Sequence, residues 1–217
     1  YERLGTAGNK PEFDNEFKRF IETEVAEKRK QSYLEPPTEI DKAFAMRELE
    51  EALGKLEDHK ASAEDGTRNP SFKRGGTTMK KVLLELFNML NRRELVPAEW
   101  GKALVVNLYK DGDKTDAGNY RGISLISCLG KLYLSMWAKR LTDHLDKELS
   151  DEQGGFRPRR STTDDALTLK EALLSRYKSK QPTYLYFVDF RKAFDTVWHD
   201  GLWEQLWRSG VRGKAWR

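Results

Sequence analysis

The sequence predicts an α+β fold, rich in helix and holding a small antiparallel sheet. Three observations predict it. Apolar residues recur at helical spacing through much of the 217 residues. Two short runs, 103–109 (ALVVNLY) and 184–190 (YLYFVDF), have the β-branched and aromatic character of strands. No internal repeat or low-complexity segment interrupts this order, so the strands belong to a small sheet set among helices.

Each element follows from its residues. Phe13, Phe17, Phe20, Ile21 and Val25 form an apolar stripe, which predicts a helix from about Glu12 to Lys30, closed off by Pro36-Pro37. Leu49, Leu53 and Leu56 make a second amphipathic helix over 46–58. The stretch 59–76 holds turn residues, with Pro70 and Gly75-Gly76 as punctuation. Thr77 or Thr78 is expected to cap a third helix, whose Val82, Leu83, Leu86, Phe87 and Leu90 form a wide apolar face. After the 103–109 strand comes a turn at 110–113, then a polar loop to Asn119. Ser127 is placed to cap a helix that turns Leu132, Met136, Leu141 and Leu145 inward. Residues 161–164 (STTD) offer N-caps for a helix to about Lys178. The last helix starts near His199 and ends at Gly210, and 211–216 read as the start of another element.

Composition narrows the function classes. Hydrophobic residues make up 38% and charged residues 34%, more polar than an average globular domain. Ten Phe, eight Tyr and six Trp argue against wholesale disorder. The single cysteine, Cys128, excludes an internal disulfide framework and a Cys-based zinc site. No apolar run approaches the ~20 residues of a membrane helix. The first thirty residues are too charged for a signal peptide. The expectation is a soluble intracellular protein, nuclear and/or cytoplasmic, neither secreted nor membrane-bound. The net charge of +4 is unevenly spread: residues 1–70 carry 12 Lys+Arg against 17 Asp+Glu, a balance of −5, and 71–217 carry 27 against 18, a balance of +9. A basic segment with interleaved aromatics points toward a polyanion.

Four places carry candidate chemistry. Asp189 interrupts an apolar strand between Val188 and Phe190, where an ionised carboxylate is costly unless paired, protonated or bound to a cation. It reads either as a Mg²⁺ ligand at a strand end or as a cap on the following turn. Asp195, six residues on, reads as a second acid of the same junction, as a helix cap, or as an ion-pair partner of Arg191 or Lys192. Lys110 and Arg121 flank a turn. A hairpin presenting them could grip a triphosphate, Lys as a point charge and Arg as a fork, or they could be two solvated cations. The loop Gln153 to Arg160 joins arginines, glycines and an aromatic, which suits a phosphate backbone with some stacking but also an ordinary basic loop. His59, His144 and His199 have no ligand-like spacing.

Taken in order, LYKDGD (108–113), NYRGISL (119–125), EQGGFRP (152–158) with STTD (161–164), and FVDFRKAFD (187–195) resemble the reverse transcriptases of non-LTR (LINE-like) retrotransposons. The clear resemblance covers about 97–217. A weaker one runs from about 40 to 96, where Ala63-Glu64-Asp65-Gly66 stands in place of the family's frequent Gly-Pro-Asp-Gly turn.

The resemblance implies a partial right-hand polymerase, the fingers plus the first part of the palm. Residues 1–38 would be an N-terminal helical extension, 39–96 a helical region leading into the fingers, and 97–217 a partial reverse transcriptase domain ending before the Tyr/Phe-x-Asp-Asp hairpin. It implies that Asp189 is the first catalytic aspartate and holds two Mg²⁺ ions, with Mn²⁺ as a substitute, and that the Phe190 carbonyl is a further ligand. Lys110 and Arg121 would hold the incoming dNTP, and Phe194 would block a ribose 2′-OH. Gln153, Gly155, Phe156, Arg157 and Arg160 would lie along the template strand. Asp195 would be structural, and Arg159 stands where the family usually has glycine. The implied partners are an RNA template, a DNA primer, dNTP and, in a full-length polyprotein, an endonuclease domain; no membrane is implied. With one candidate metal-binding aspartate, the 217 residues alone are expected to be inactive. Two other readings remain: a non-catalytic retrotransposon remnant that binds nucleic acid, and a group II intron maturase-like reverse transcriptase.

Overall fold

The computed structural model describes residues 14–63, 65–190, 193–194 and 196–217. Phe13, Glu64, Arg191, Lys192 and Asp195, all named above, lie outside the described residues. The elements in chain order are α1 (Asn15–Ser32), α2 (Met46–Gly54), α3 (Asn69–Lys73), α4 (Gly76–Arg93), β1 (Leu104–Tyr109), β2 (Tyr120–Leu125), α5 (Cys128–Leu145), α6 (Thr162–Lys178), α7 (His199–Arg208) and α8 (Gly213–Trp216). They divide into two compact units. One comprises 42–141; the other comprises 1–41 with 142–217.

The 42–141 unit has an apolar core drawn from α2, α3, α4 and α5. Leu49 and Leu53 of α2, Phe72 of α3, Leu83, Phe87 and Leu90 of α4, and Leu132, Tyr133 and Met136 of α5 are all buried. The i, i+4 and i, i+3 spacing of these residues is what gives each helix one inward face. Aromatic rings knit the centre together: Phe44, Phe87, Trp100 and Tyr133 meet edge-on or tilted, with centroids 5.4–6.4 Å apart. Gly130 lets the Trp100 ring approach closely, since a Cβ on it would stand 3.0 Å from that ring.

Two polar groups, Asn88 buried and Arg140 partly so, tie the 42–45 segment to this core. Asn88 of α4 accepts from the Phe44 N–H at 2.6 Å and donates to the Phe44 carbonyl at 3.0 Å, so its amide acts as a surrogate strand partner. Arg140 of α5 donates to the Lys42 and Ala43 carbonyls at 2.5 and 3.1 Å and to both Glu48 oxygens at 2.6 and 2.8 Å. Its guanidinium also lies over the Phe44 ring, 4.3 Å from the centroid. Burial pushes the Glu48 carboxyl up. The Arg140 and Ala45 hydrogen bonds, with the charges of Arg140 and Arg47, outweigh that and hold it below its ordinary value.

In the other unit, α1 packs with α7 and α8. Ile21 and Val25 are buried on α1, while Phe17 and Phe20 remain half exposed. Lys28 pairs with Glu204 of α7, which also takes Arg208 Nε at 2.8 Å. Asp41 accepts from the Ala215 N–H at 2.7 Å and so fastens the start of α8. Trp216 sits between Trp203 and Trp207 and donates its ring N–H to the Trp203 carbonyl at 2.8 Å. By contrast, α6 buries none of its residues; Ala166, Leu169, Leu173, Leu174 and Tyr177 line an open groove along it.

Several details differ from the sequence expectation: β2 is a strand where none was assigned, and the helix expected over 46–58 ends at Gly54. Thr77 and Thr78 lie inside α4, whose N-cap is Gly75 with no side-chain bond. The stretch 59–76 contains α3, which starts with Pro70 at an early helical position where its missing N–H costs nothing. The run Tyr184–Phe190 is not a strand: among the described residues the one sheet is β1 with β2, and 184–190 lies exposed without a ladder. β-branched and aromatic character makes a segment able to pair, but a strand also needs a partner edge, and none of the described segments offers it one.

Candidate functional site

The first cluster is the β1–β2 hairpin. The strands pair antiparallel from Leu104↔Leu125 to Tyr109↔Tyr120, with Leu108 opposite Arg121. The Lys110 N–H continues the ladder to the Asn119 carbonyl at 2.9 Å. Because side chains alternate between faces, Arg121 shares the face of Leu108 and therefore of Lys110, one diagonal step away. Both cations are exposed.

The loop between them is held by its own polar groups. Asp113 accepts from the Thr115 N–H and hydroxyl, both at 2.8 Å, and Asn119 Nδ2 donates to the Asp113 carbonyl at 2.9 Å. Tyr109 and Tyr120 donate their hydroxyls to the Gly112 and Lys114 carbonyls, and their rings meet 5.6 Å apart. Gly112 has φ +88°, and a Cβ there would strike the Asn119 amide at 2.6 Å.

At the base of the hairpin lies Asp65. Asp65 accepts from the Thr67 N–H at 3.1 Å and from the Ser127 hydroxyl. Burial raises its pKa, but these bonds outweigh that and leave it below the ordinary value. Ser127 is buried and caps α5, with Gly130 N–H 3.4 Å from its Oγ. A cavity of about 480 Å³ opens beside it, lined by Asp65, Glu99, Lys102, Leu104 and Ser127 among others.

The second cluster lies in the other unit, around the 153–160 loop. Arg157 is turned inward. Its Nε meets Asp146 Oδ1 at 2.9 Å, and its two Nη atoms donate to the Ser150 and Asp146 carbonyls at 2.7 and 3.0 Å. Its side chain is 9% exposed. Asp146 and two loop carbonyls thus occupy the fork of Arg157, one of the residues expected along the template strand. Arg160 is exposed and pairs with Asp151 at 2.9 Å, and Arg159 is also exposed. The Gln153 N–H bonds the Ser150 carbonyl at 3.2 Å, and Gly155 is open to solvent.

Two residues of this loop have left-handed backbone: Phe156 at φ +62° and Arg159 at φ +63°. For a non-glycine residue this costs about 1–2 kcal/mol. Phe156 is 92% exposed, yet its ring stands perpendicular to that of Phe194, with centroids 5.9 Å apart. The loop then hands over to α6 through a capping box: Ser161 Oγ accepts from the Asp164 N–H at 3.3 Å while Asp164 Oδ2 accepts from the Ser161 N–H at 3.0 Å.

Asp189 lies exposed on the irregular 184–190 run, beside Phe190. Among the described residues no group of three or more His, Cys, Asp or Glu is arranged to hold a metal. Asp189 and the Phe190 carbonyl are hard oxygen donors of the kind Mg²⁺ takes, but they supply only part of a shell. Asp195, the other acid of this junction, lies outside the described residues. Lys110 and Arg121 belong to the 42–141 unit, and Asp189, Phe194 and the loop to the other. Sequence reasoning missed the Arg157–Asp146 pair, the Phe156–Phe194 pair and the Asp65–Ser127 bond. The arginine and aspartate residue types were visible, but nothing local announces their partners. No described helix is long and apolar enough to cross a membrane.

Comparison with known proteins agrees with the motifs. Residues 110–217 match the family described as Reverse transcriptase (RNA-dependent DNA polymerase). The chain is 31% identical over 175 residues to a probable RNA-directed DNA polymerase from transposon BS of Drosophila melanogaster, covering 78% of this chain and 19% of that protein. It is 29% identical over 178 residues to the RNA-directed DNA polymerase from mobile element jockey of the same organism, covering 79% and 19%. It is 33% identical over 116 residues to a retrovirus-related Pol polyprotein from type-1 retrotransposable element R2 of Popillia japonica, covering 54% and 16%. The chain therefore spans less than a fifth of the length of these relatives. On the motifs, the matched segment and these relatives together, the chain belongs to the reverse transcriptase family, in its non-LTR, LINE-like branch.

Proposed function

We propose that this chain is part of an RNA-directed DNA polymerase of a non-LTR retrotransposon, which adds deoxynucleotides to a DNA primer on an RNA template. The observation that carries the reading is the hairpin: two exposed cations on one face of a self-braced ribbon, inside the segment that matches the family. Lys110 meets the triphosphate of the incoming dNTP as a point charge, and Arg121 grips it as a fork. Asp189 contributes a carboxylate, and Phe190 its carbonyl, to the Mg²⁺ or Mn²⁺ site. When bound, a metal pair supplies activation of the primer 3′-hydroxyl and charge relief at the leaving pyrophosphate. Phe194 stands against the sugar and excludes a 2′-hydroxyl. Gln153, Gly155, Phe156 and Arg160 follow the template strand, while Arg157 fixes the shape of their loop.

In this reading 1–38 is a helical extension, 39–96 leads into the fingers, and 97–217 is fingers and early palm. A single candidate carboxylate does not complete a two-metal site, so these 217 residues by themselves do not extend a primer. The test is primer extension on an RNA template by the full-length polymerase. Asp189→Ala abolishes extension, and Lys110→Ala and Arg121→Ala raise the KM for dNTP. Extension at the parental rate by Asp189→Ala would refute the assignment.

A second reading is favoured by the +9 balance of residues 71–217. As a non-catalytic binder of nucleic acid, the chain would hold an RNA–DNA duplex in a salt-dependent manner. Binding that persists with no extension by the full-length protein would select it.

A further inference from the structure

We propose that Phe156 is a positioning residue for the ring of Phe194, and that through this contact the 153–160 loop sets sugar discrimination at the nucleotide site. The proposal rests on the reading of Phe194 as the ring that faces the ribose.

The pair is unusual in its setting. Phe156 is 92% exposed and Phe194 79% exposed, so neither ring belongs to a core. They nevertheless stand at 89° with centroids 5.9 Å apart, the edge-to-face arrangement that aromatic quadrupoles favour. The two residues are far apart in sequence, so the contact is not a by-product of local chain geometry.

The backbone points the same way. A bulky residue with positive φ is an outlier, and Phe156 takes it at +62° although glycines precede it at 154 and 155. Strain of this kind persists where the surroundings over-determine it, and it clusters at functional sites. Here the surroundings do: Arg157, the next residue, is fixed by three hydrogen bonds to Asp146 and Ser150. The Phe156 ring is therefore carried on an anchored base and meets a Phe194 ring that is itself largely exposed.

Such an arrangement has a chemical use. A ring that separates a deoxyribose from a ribose must resolve a single oxygen atom. It can do so only if its position is held within a fraction of an ångström, and supporting contacts are what hold it. An exposed phenylalanine with two free torsions does not hold such a position alone.

The experiment is single-nucleotide extension by the full-length polymerase with dCTP and with CTP. It reads the ratio of the two kcat/KM values and the separate KM values. Phe156→Ala lowers the preference for dCTP by about two- to tenfold, the value of one aromatic pair, chiefly by lowering the KM for CTP. Phe156→Tyr and Phe156→Trp, which keep an edge to present, restore it. Phe194→Val lowers it further, and Phe156→Ala added to Phe194→Val changes nothing more. An unchanged ratio in Phe156→Ala, or additive effects in the double variant, overturns this proposal alone. An unchanged ratio in Phe194→Val overturns the reading of Phe194 beneath it as well. Proton–proton NOEs between the two rings in the 217-residue chain give a readout free of activity, and their absence would also overturn it.

Discussion

Replacing Arg157 separates two roles that its residue type alone cannot. Arg157→Met keeps the aliphatic stem but removes a guanidinium whose three bonds run to Asp146 Oδ1, the Asp146 carbonyl and the Ser150 carbonyl. Hydrogen bonds to charged groups contribute about 1.5–3 kcal/mol each where both partners are dry. The Asp146 side chain is 25% exposed, so water recovers part of that loss. The expected destabilisation is about 2–3 kcal/mol, within the range for breaking a partly buried pair. In urea, with a slope of about 2–3 kcal/mol/M, the midpoint falls by about 1 M. Arg157→Lys retains one of the three donors and falls in between. The second arm of the assay is nucleic-acid binding as a function of salt. A phosphate contact on a single strand contributes about 0.7 to the slope of log K against log salt. Arg157→Met leaves that slope unchanged, whereas Arg160→Ala lowers it by about one contact. A normal melt combined with a reduced slope in Arg157→Met would refute the reasoning, because the guanidinium would then be free for phosphate.

Two further outcomes follow from the same geometry. Arg159→Gly removes a left-handed penalty of about 1–2 kcal/mol and adds a glycine entropy cost of about 0.5–1 kcal/mol, so the chain gains about 0.5–1 kcal/mol; a thermal melt that moves down would contradict this. Glu48 has a folded pKa below its unfolded value, so its contribution is complete above about pH 4.5 and is lost as pH falls from there through the folded value. Urea midpoints between pH 6 and pH 3 therefore fall more steeply for the parent chain than for Glu48→Gln, and equal slopes would show that the Arg140 pair does not act this way.

Helices were the most legible part of the sequence because their signal is local. The i, i+4 stripe of Leu49 and Leu53 and the Ser161–Asp164 box can be read within one or two turns, and α2 and α6 begin where those residues place them. Of the β1–β2 hairpin, β1 and the turn after it were legible from β-branched residues and Asp-Gly, whereas β2 was not among the runs read as strands, because Arg121, Gly122 and Ser124 dilute its apolar character. The run 184–190 misled because apolar, β-branched character reports the capacity to pair, while the partner edge is a property of distant residues. α3 was hidden because Pro70 reads equally as punctuation or as the start of a helix. At the candidate site the residue types were visible but their commitments were not. Arg157 looks like Arg160 until Asp146 is placed beside it, and nothing in the loop foretells that Phe156 meets Phe194.

The open side of α6 carries a kinetic consequence. This helix has 17 residues, a complete capping box and no buried side chain. A helix of that length without packing is marginal in water, since propagation hardly repays nucleation. Its amides should therefore exchange with deuterated solvent far sooner than those of α4, which has the same regular ladder but sets Leu83, Phe87 and Leu90 in a core. The Leu169–Tyr177 side, already open in the folded helix, is also where aggregation of the isolated chain would begin on storage, and the first place an added surfactant would protect.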